Sequence, residues 1–146
     1  MKIGVKVWSQ NSIPFLLIDT KTKKFENLVL KEIKNYNINL ICLAGYMKIL
    51  SKTFINKFGK KIINIHPSLL PKFKGLNTYE RILENSEKKT GCTVHYVNEK
   101  LDNGQIINQK KFYIDKNDDL NNLKKKTQNL EGLAFSEAII KIYRYN

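Results

Sequence analysis

At 146 residues, with 42% hydrophobic side chains, the chain is long enough for one buried core and too short for two, so a single domain over residues 1–146 is expected. No apolar run is long enough for a membrane helix, and Met1 to Pro14 lacks the basic and then apolar layout of a secretory signal; no membrane partner and a cytoplasmic setting are expected. The formal charge of +13 would suit nucleic acid, but it comes from lysines scattered along the chain, with only Arg81 and Arg144 beside them and no aromatic interleaving; a solvated surface with no nucleic-acid partner is the better reading.

Met1 to Ser12 is open between a short strand, in which Ile3, Val5 and Val7 alternate, and a helical turn ending at Asn11. Ile13 to Ile18 is a compact apolar run with Pro14 near its start, and reads as a buried strand. From Lys23 to Tyr36 the period changes, and Phe25, Leu28, Val29, Ile33 and Tyr36 fall on one helical face. Asn39 to Ala44 is apolar on both faces, as central parallel strands are, until Gly45-Tyr46-Met47 breaks it. Ser51 opens a short helix carrying Phe54, Ile55 and Phe58. This alternation predicts an α/β fold with a mostly parallel sheet and helices on both faces. Cys42 and Cys92 lie inside apolar runs and read as small buried hydrophobes in a reducing compartment; no Cys/His spacing suggests a metal site.

Lys60 to His66 is a further strand, which must stop at Pro67 because proline fixes φ and has no amide hydrogen for the ladder. Asn64 and His66 lie two apart, so they project from one face at the strand's carboxyl end, where ligands sit in open parallel sheets. An amide can donate to a developing oxyanion and an imidazole can move a proton near neutrality, although a turn-capping Asn64 and an interior His66 would fit the same spacing. Lys72 to Asn77 is irregular and Thr78 to Asn85 a short helix with Tyr79, Ile82 and Leu83 inward. Gly91 to Val97 and Gln105 to Ile114 pair as strands around a turn signalled by Asp102-Asn103-Gly104. Asn117 or Asp118 caps a long last helix striped by Leu120, Leu123, Thr127, Leu130, Ala134 and Ala138. His95 alternates within its strand and reads as structural, with a place facing the site as the alternative.

Asn64-Ile65-His66-Pro67-Ser68-Leu69-Leu70-Pro71, followed by Lys72-Phe73-Lys74-Gly75-Leu76, closely resembles the folate-dependent formyltransferases, specifically the phosphoribosylglycinamide (GAR) formyltransferases. Leu43-Ala44-Gly45-Tyr46-Met47-Lys48-Ile49-Leu50, Gly91-Cys92-Thr93-Val94-His95-Tyr96-Val97 and Leu101-Asp102-Asn103-Gly104 carry the same resemblance in the same order, so it covers nearly the whole chain from about Ile13. It implies a Rossmann-like fold and transfer of a formyl group from 10-formyltetrahydrofolate, a co-substrate, to the amine of glycinamide ribonucleotide. Asn64, His66 and Asp102 would stabilise the tetrahedral intermediate and mediate proton transfer, with no metal. The implied folate pocket is Tyr46, Met47, Lys48, Ile49, Leu50, Ile55, Ile62, Asn64 and the loop Val97, Asn98, Glu99, Lys100, Leu101 and Asp102; Met47, Ile65, Pro67 and Glu131 would meet the ribonucleotide.

The resembling family opens with a strand, a Gly-Ser-Asn phosphate loop and a helix, and no Gly-Ser-Asn occurs here. The expected consequences are weaker purchase on the acceptor's phosphate and an open sheet edge that a second copy could cover, giving a homo-oligomer. A shortened homologue that binds folate but serves another amine, or none, is the alternative function.

Overall fold

The computed structural model describes residues 18–144 and, ahead of them, the backbone of two short strands, β1 (Val5–Trp8) and β2 (Ile13–Leu16), paired antiparallel. The strand readings of those stretches therefore hold for these spans, and the expected burial of Ile13 to Leu17 lies outside the described residues. The chain continues as α1 (Phe25–Asn35), β3 (Leu40–Leu43), α2 (Lys52–Phe58), β4 (Lys61–His66), α3 (Thr78–Glu84), β5 (Lys89–Tyr96), β6 (Ile106–Tyr113) and α4 (Leu120–Arg144).

The main sheet has the order β3-β4-β5-β6. Among the described residues only β3 and β4 run parallel; β4–β5 and β5–β6 are antiparallel, so the sheet is mixed rather than mostly parallel. The physical reason is connection length. The stretch from Pro67 to Lys88, which carries α3, returns to the same end of the sheet, and the Val97–Gln105 turn between β5 and β6 is too short for a crossover. β3 is an outer strand among the described residues, and Cys42 at its middle is exposed instead of buried. Cys92 in β5 is fully buried, and burial pushes its thiol up to about 11, which leaves it a packing residue.

The period of two along β4 divides the core between the sheet faces. Ile63 and Ile65 point to one face and meet Cys92, Val94 and, from α4, Ala134, Ala138 and Ile142. Ile62 points to the other and packs with Leu50 and with Phe54 and Phe58 of α2, against Val29, Leu30 and Ile33 of α1. Helices thus cover both faces, and Asn64 and His66 lie on the α1/α2 side, past the end of the apolar floor. Complete burial of Ile63 alone is worth roughly 1.5–3 kcal/mol.

Local chemistry fixes the helix ends. The Ser51 hydroxyl accepts from the Phe54 amide at 3.0 Å, and Gly59 ends α2 in the left-handed conformation. Glu26 of α1 accepts from both the amide and the hydroxyl of Ser51, which ties the start of α1 to the start of α2. The cap of α4 is Asp119 rather than Asn117 or Asp118: its Oδ1 accepts from the Asn122 amide at 2.8 Å. Asp118 instead binds the Asp115 amide and Lys126.

The segment after β4 is held by a polar hub. Thr93 Oγ1, fully buried, donates to Ser68 O at 2.6 Å and accepts from the Leu70 amide at 3.0 Å and from Gln109 Nε2 at 2.9 Å. Replacing Thr93 by valine keeps the shape but orphans a buried carbonyl and a buried amide. Each such loss costs about 1–3 kcal/mol, so the melting temperature is expected to fall by roughly 5–15 °C in a thermal melt. An unchanged melt would show that the 67–71 segment finds other partners.

Candidate active site

Asn64 stands beside Leu43 in the parallel β3–β4 register and directly opposite His95 in the antiparallel β4–β5 register. Both pairings put side chains at the carboxyl end of β3 and β4, where the sheet stops and loops begin. A partly open cleft of about 60 Å³ lies there, lined by Leu43, Tyr46, Lys48, Ile49, Leu50, Asn64, His95, Val97, Asn98, Lys100, Leu101 and Asp102. A larger hollow of about 580 Å³ lies at the opposite strand ends, with Lys31, Lys34, Lys57 and Lys60 around an apolar floor of Leu30, Ile33, Ile38 and Phe58. No candidate site residue read from the sequence lines that hollow, so the smaller cleft is the candidate site on chemistry, not size.

Asp102 is the hub of the cleft. It sits in the left-handed region at φ 44°, in a turn pulled tight because Gly104 passes the Tyr96 carbonyl so closely that a Cβ there would stand 1.6 Å from the oxygen. The carboxylate is only 8% exposed; Oδ2 accepts from the Gly75 amide at 2.8 Å and lies 3.2 Å from His66 Nδ1, while Oδ1 lies 3.6 Å from His95 Nε2. Burial would raise this carboxyl, but His95, the Gly75 amide and His66 outweigh it, and its pKa falls below the ordinary value. Asp102 is therefore an ionised, buried carboxylate near neutrality.

His66 is 5% exposed, and its Nε2 lies 2.8 Å from Phe73 O; a carbonyl only accepts, so Nε2 carries hydrogen and donates. Its Nδ1 faces Asp102, so both ring nitrogens are engaged and His66 does not line the cleft. Burial lowers its pKa against the Phe73 carbonyl and the Asp102 carboxylate, which both favour the charged ring. With hydrogen on both ring nitrogens, His66 clamps Asp102 to the 72–77 loop. Lys74 Nζ to Asn103 Oδ1 and Arg81 to Lys74 O tie the same loops together.

The other residues singled out from the sequence divide clearly. Tyr46, Lys48, Ile49, Leu50, Val97, Asn98, Lys100 and Leu101 line the cleft with Asn64 and Asp102. Met47 is 72% exposed and outside it, and Glu99 is turned out to Lys52 at 3.1 Å. Ile55 and Ile62 belong to the α1/α2 core, although the Ile62 carbonyl accepts from the Val97 amide at 2.9 Å and so holds one wall of the cleft. Ile65 is buried on the α4 face. Pro67 is half-buried just past β4, and Glu131 sits half-buried in α4 near Tyr79 and Cys92, its carboxyl raised by burial. Reading the sequence missed Leu43 and put His95 in a structural role first, with a place facing the site, where it stands, only as the alternative. The signal for His95 was available: two strands paired so that Asn64 meets His95 put both side chains on one face.

The sequence pattern of the family described as "Formyl transferase" matches residues 1–139. The phosphoribosylglycinamide formyltransferase of Bacillus subtilis is 38% identical over 122 residues, which are 84% of this chain and 63% of that protein. The human "Trifunctional purine biosynthetic protein adenosine-3" is 40% identical over 140 residues, 93% of this chain but 14% of the relative. The crystal structure of phosphoribosylglycinamide formyltransferase from Bacillus halodurans superposes with a TM-score of 0.76 at 37% identity, covering 81% of this chain and 61% of that one. The chain thus spans less than two thirds of the length of each of these relatives. With its match running through both strands of the cleft and the Asp102 turn, this chain belongs to the formyl transferase family.

Proposed function

We propose that the chain transfers a formyl group from 10-formyltetrahydrofolate to the amine of glycinamide ribonucleotide. The observation that carries the reading is the meeting of the Asn64 amide and the ionised Asp102 carboxylate in one cleft at the carboxyl end of the β3–β4 pair. Its chemical demand is specific. When an amine attacks the formyl carbon, the carbonyl oxygen gains negative charge and the nitrogen positive charge at once. A neutral donor and a fixed carboxylate side by side serve the two charges separately: Asn64 Nδ2 hydrogen-bonds the oxygen, and Asp102 takes the proton that the attacking nitrogen sheds; when the adduct collapses, the bond from the formyl carbon to the folate nitrogen breaks and that nitrogen takes up the proton, releasing tetrahydrofolate. His66, held between Phe73 O and Asp102, keeps that carboxylate ionised and aimed. The mixed lining, Leu43, Ile49, Leu50, Val97 and Leu101 with a few aimed polar groups, suits the flat heteroaromatic end of a folate.

Sites for ligands of that size usually hold about 300–1,000 Å³. The walls at 46–49 and 98–101 therefore separate when a pterin enters; the Lys52–Glu99 ion pair across the rim is exposed and offers little resistance. Two free thiols suit a reducing, cytoplasmic setting.

The test is incubation of the purified chain with 10-formyltetrahydrofolate and glycinamide ribonucleotide, followed by mass spectrometry of the ribonucleotide. A formylated product made at a rate proportional to enzyme, and made at least about a hundredfold more slowly by Asp102→Asn, is expected. Folate consumption with a simple primary amine but not with glycinamide ribonucleotide would assign the same chemistry to another acceptor. No transfer to either would overturn the reading.

A further inference from the structure

We propose that His95 is a positioning residue for Asn64: in the tautomer with hydrogen on Nδ1, its Nε2 holds the Asn64 amide with the nitrogen inward, leaving one N–H of that nitrogen for the adduct oxygen. This rests on the formyl-transfer reading above.

The geometry leaves the ring little choice. His95 Nδ1 lies 2.8 Å from the Tyr96 carbonyl, which can only accept, so Nδ1 must carry hydrogen. A neutral ring then has its lone pair on Nε2, and that nitrogen lies 3.3 Å from Asn64 Nδ2, a donor with two hydrogens. One hydrogen goes to His95 and the other is free for the cleft. Backbone structure fixes the partners: Asn64 and His95 are cross-strand neighbours, and the β5–β6 register shifts at Val94/His95, where an irregularity re-aims the side chain. At 2% exposure the ring has no room to swing away.

A second proton on the ring would undo the arrangement. Nε2–H would turn to Asp102 Oδ1, 3.6 Å away, or to the oxygen of an overturned Asn64 amide, and in either case the lone pair that holds the Asn64 nitrogen is gone.

Four proteins separate this role from a structural one: His95→Leu, His95→Gln, Asn64→Ala and the His95→Leu/Asn64→Ala double variant. His95→Leu removes the acceptor, and kcat is expected to fall roughly 10²-fold with KM for the formyl donor nearly unchanged, as for loss of one oxyanion donor. His95→Gln can offer Oε1 close to where Nε2 stood and should restore most of that loss. The double variant should be no slower than Asn64→Ala, because residues acting as one unit do not add. Losses that multiply, or a glutamine variant as slow as the leucine one, would overturn the proposal. Nitrogen-15 NMR of the unsubstituted protein at neutral pH decides the geometry without turnover or mutation. A His95 ring protonated at Nδ1 and bare at Nε2 is expected, and hydrogen on Nε2 would end the argument. If the protein transfers no formyl group while this tautomer is found, the function has failed and the positioning stands.

Discussion

Replacing Asp102 by asparagine is expected to reduce formyl transfer by roughly 10²–10⁴-fold, the range lost with a positioned proton-transfer group, in a protein that still folds. Asparagine keeps the volume and can still accept from the Gly75 amide, so the loop at 72–77 stays docked. What disappears is the negative charge between two imidazoles, and with it the group that stabilises and deprotonates the attacking nitrogen. The stability penalty should be modest, about 1–3 kcal/mol, because the hydrogen-bond geometry survives and only charge assistance is lost. A sign-specific pH signature accompanies it. Asp102 has a folded pKa below its unfolded one, so its contribution to stability is fully present above the unfolded value, near 4, and is lost as pH falls through the folded value. His66, also depressed, adds to acid sensitivity: the unfolded chain binds its proton more readily, so stability declines as pH falls below the ordinary histidine value. Urea melts between neutral pH and about pH 3 should show the unsubstituted protein losing stability more steeply at the acid end than Asp102→Asn. Parallel curves with unchanged turnover would reduce Asp102 to a turn residue.

The legible part of this molecule is the part governed by periodicity and by short-range chemistry. The change from period two to period 3.6 located α1 within a residue or two, and the Ser51 cap, the proline stop after His66 and the Asp-Asn-Gly turn were each set by a local rule. The cleft was legible for a different reason: Asn64, Asp102 and the 46–50 and 97–101 stretches form a motif set, which a resemblance can place without geometry.

The misreadings were all non-local. Strand direction depends on how a connection returns, so a sheet expected to be mostly parallel has one parallel pairing and two antiparallel ones. Cys42 sits in an apolar run that looks central, yet among the described residues β3 is an outer strand and leaves it exposed. The cap of α4 moved by one residue because Asp118 was taken by Lys126, a partner eight positions away. The Phe73 partner of His66 was hidden for the same kind of reason: it lies beyond Pro67 and Pro71, and a turn that brings Phe73 O back to an imidazole leaves no trace in spacing. The Leu70–Pro71 bond in that turn is cis, which sequence alone leaves open.

Truncating Asn64 to alanine should produce the clearest kinetic defect with the least structural disturbance. Its side chain is half-buried at the end of β4, and its recorded hydrogen bond within the protein is the 3.3 Å contact to His95, so the melt should move by only a few degrees. Turnover is another matter. A donor aimed at an oxygen that bears charge only in the transition state is worth about 2.7–4 kcal/mol, so kcat should fall roughly 10²–10³-fold while KM for either substrate changes little. Asn64→Asp sharpens the point. It preserves size and strand fit, but sets an acceptor and a second negative charge where the adduct needs a donor, close to an already ionised Asp102. Its loss should therefore equal or exceed that of alanine, and since like charges at short range disfavour ionisation, part of the activity should return at lower pH as residue 64 takes up a proton and becomes a donor again. A strand residue without a catalytic task would behave in the opposite way: alanine nearly silent in kcat, and aspartate harmful through stability alone. Steady-state kinetics of both variants with thermal melts run alongside distinguish the two, because a catalytic amide moves kcat at constant melting temperature and a structural one moves the melting temperature at constant kcat.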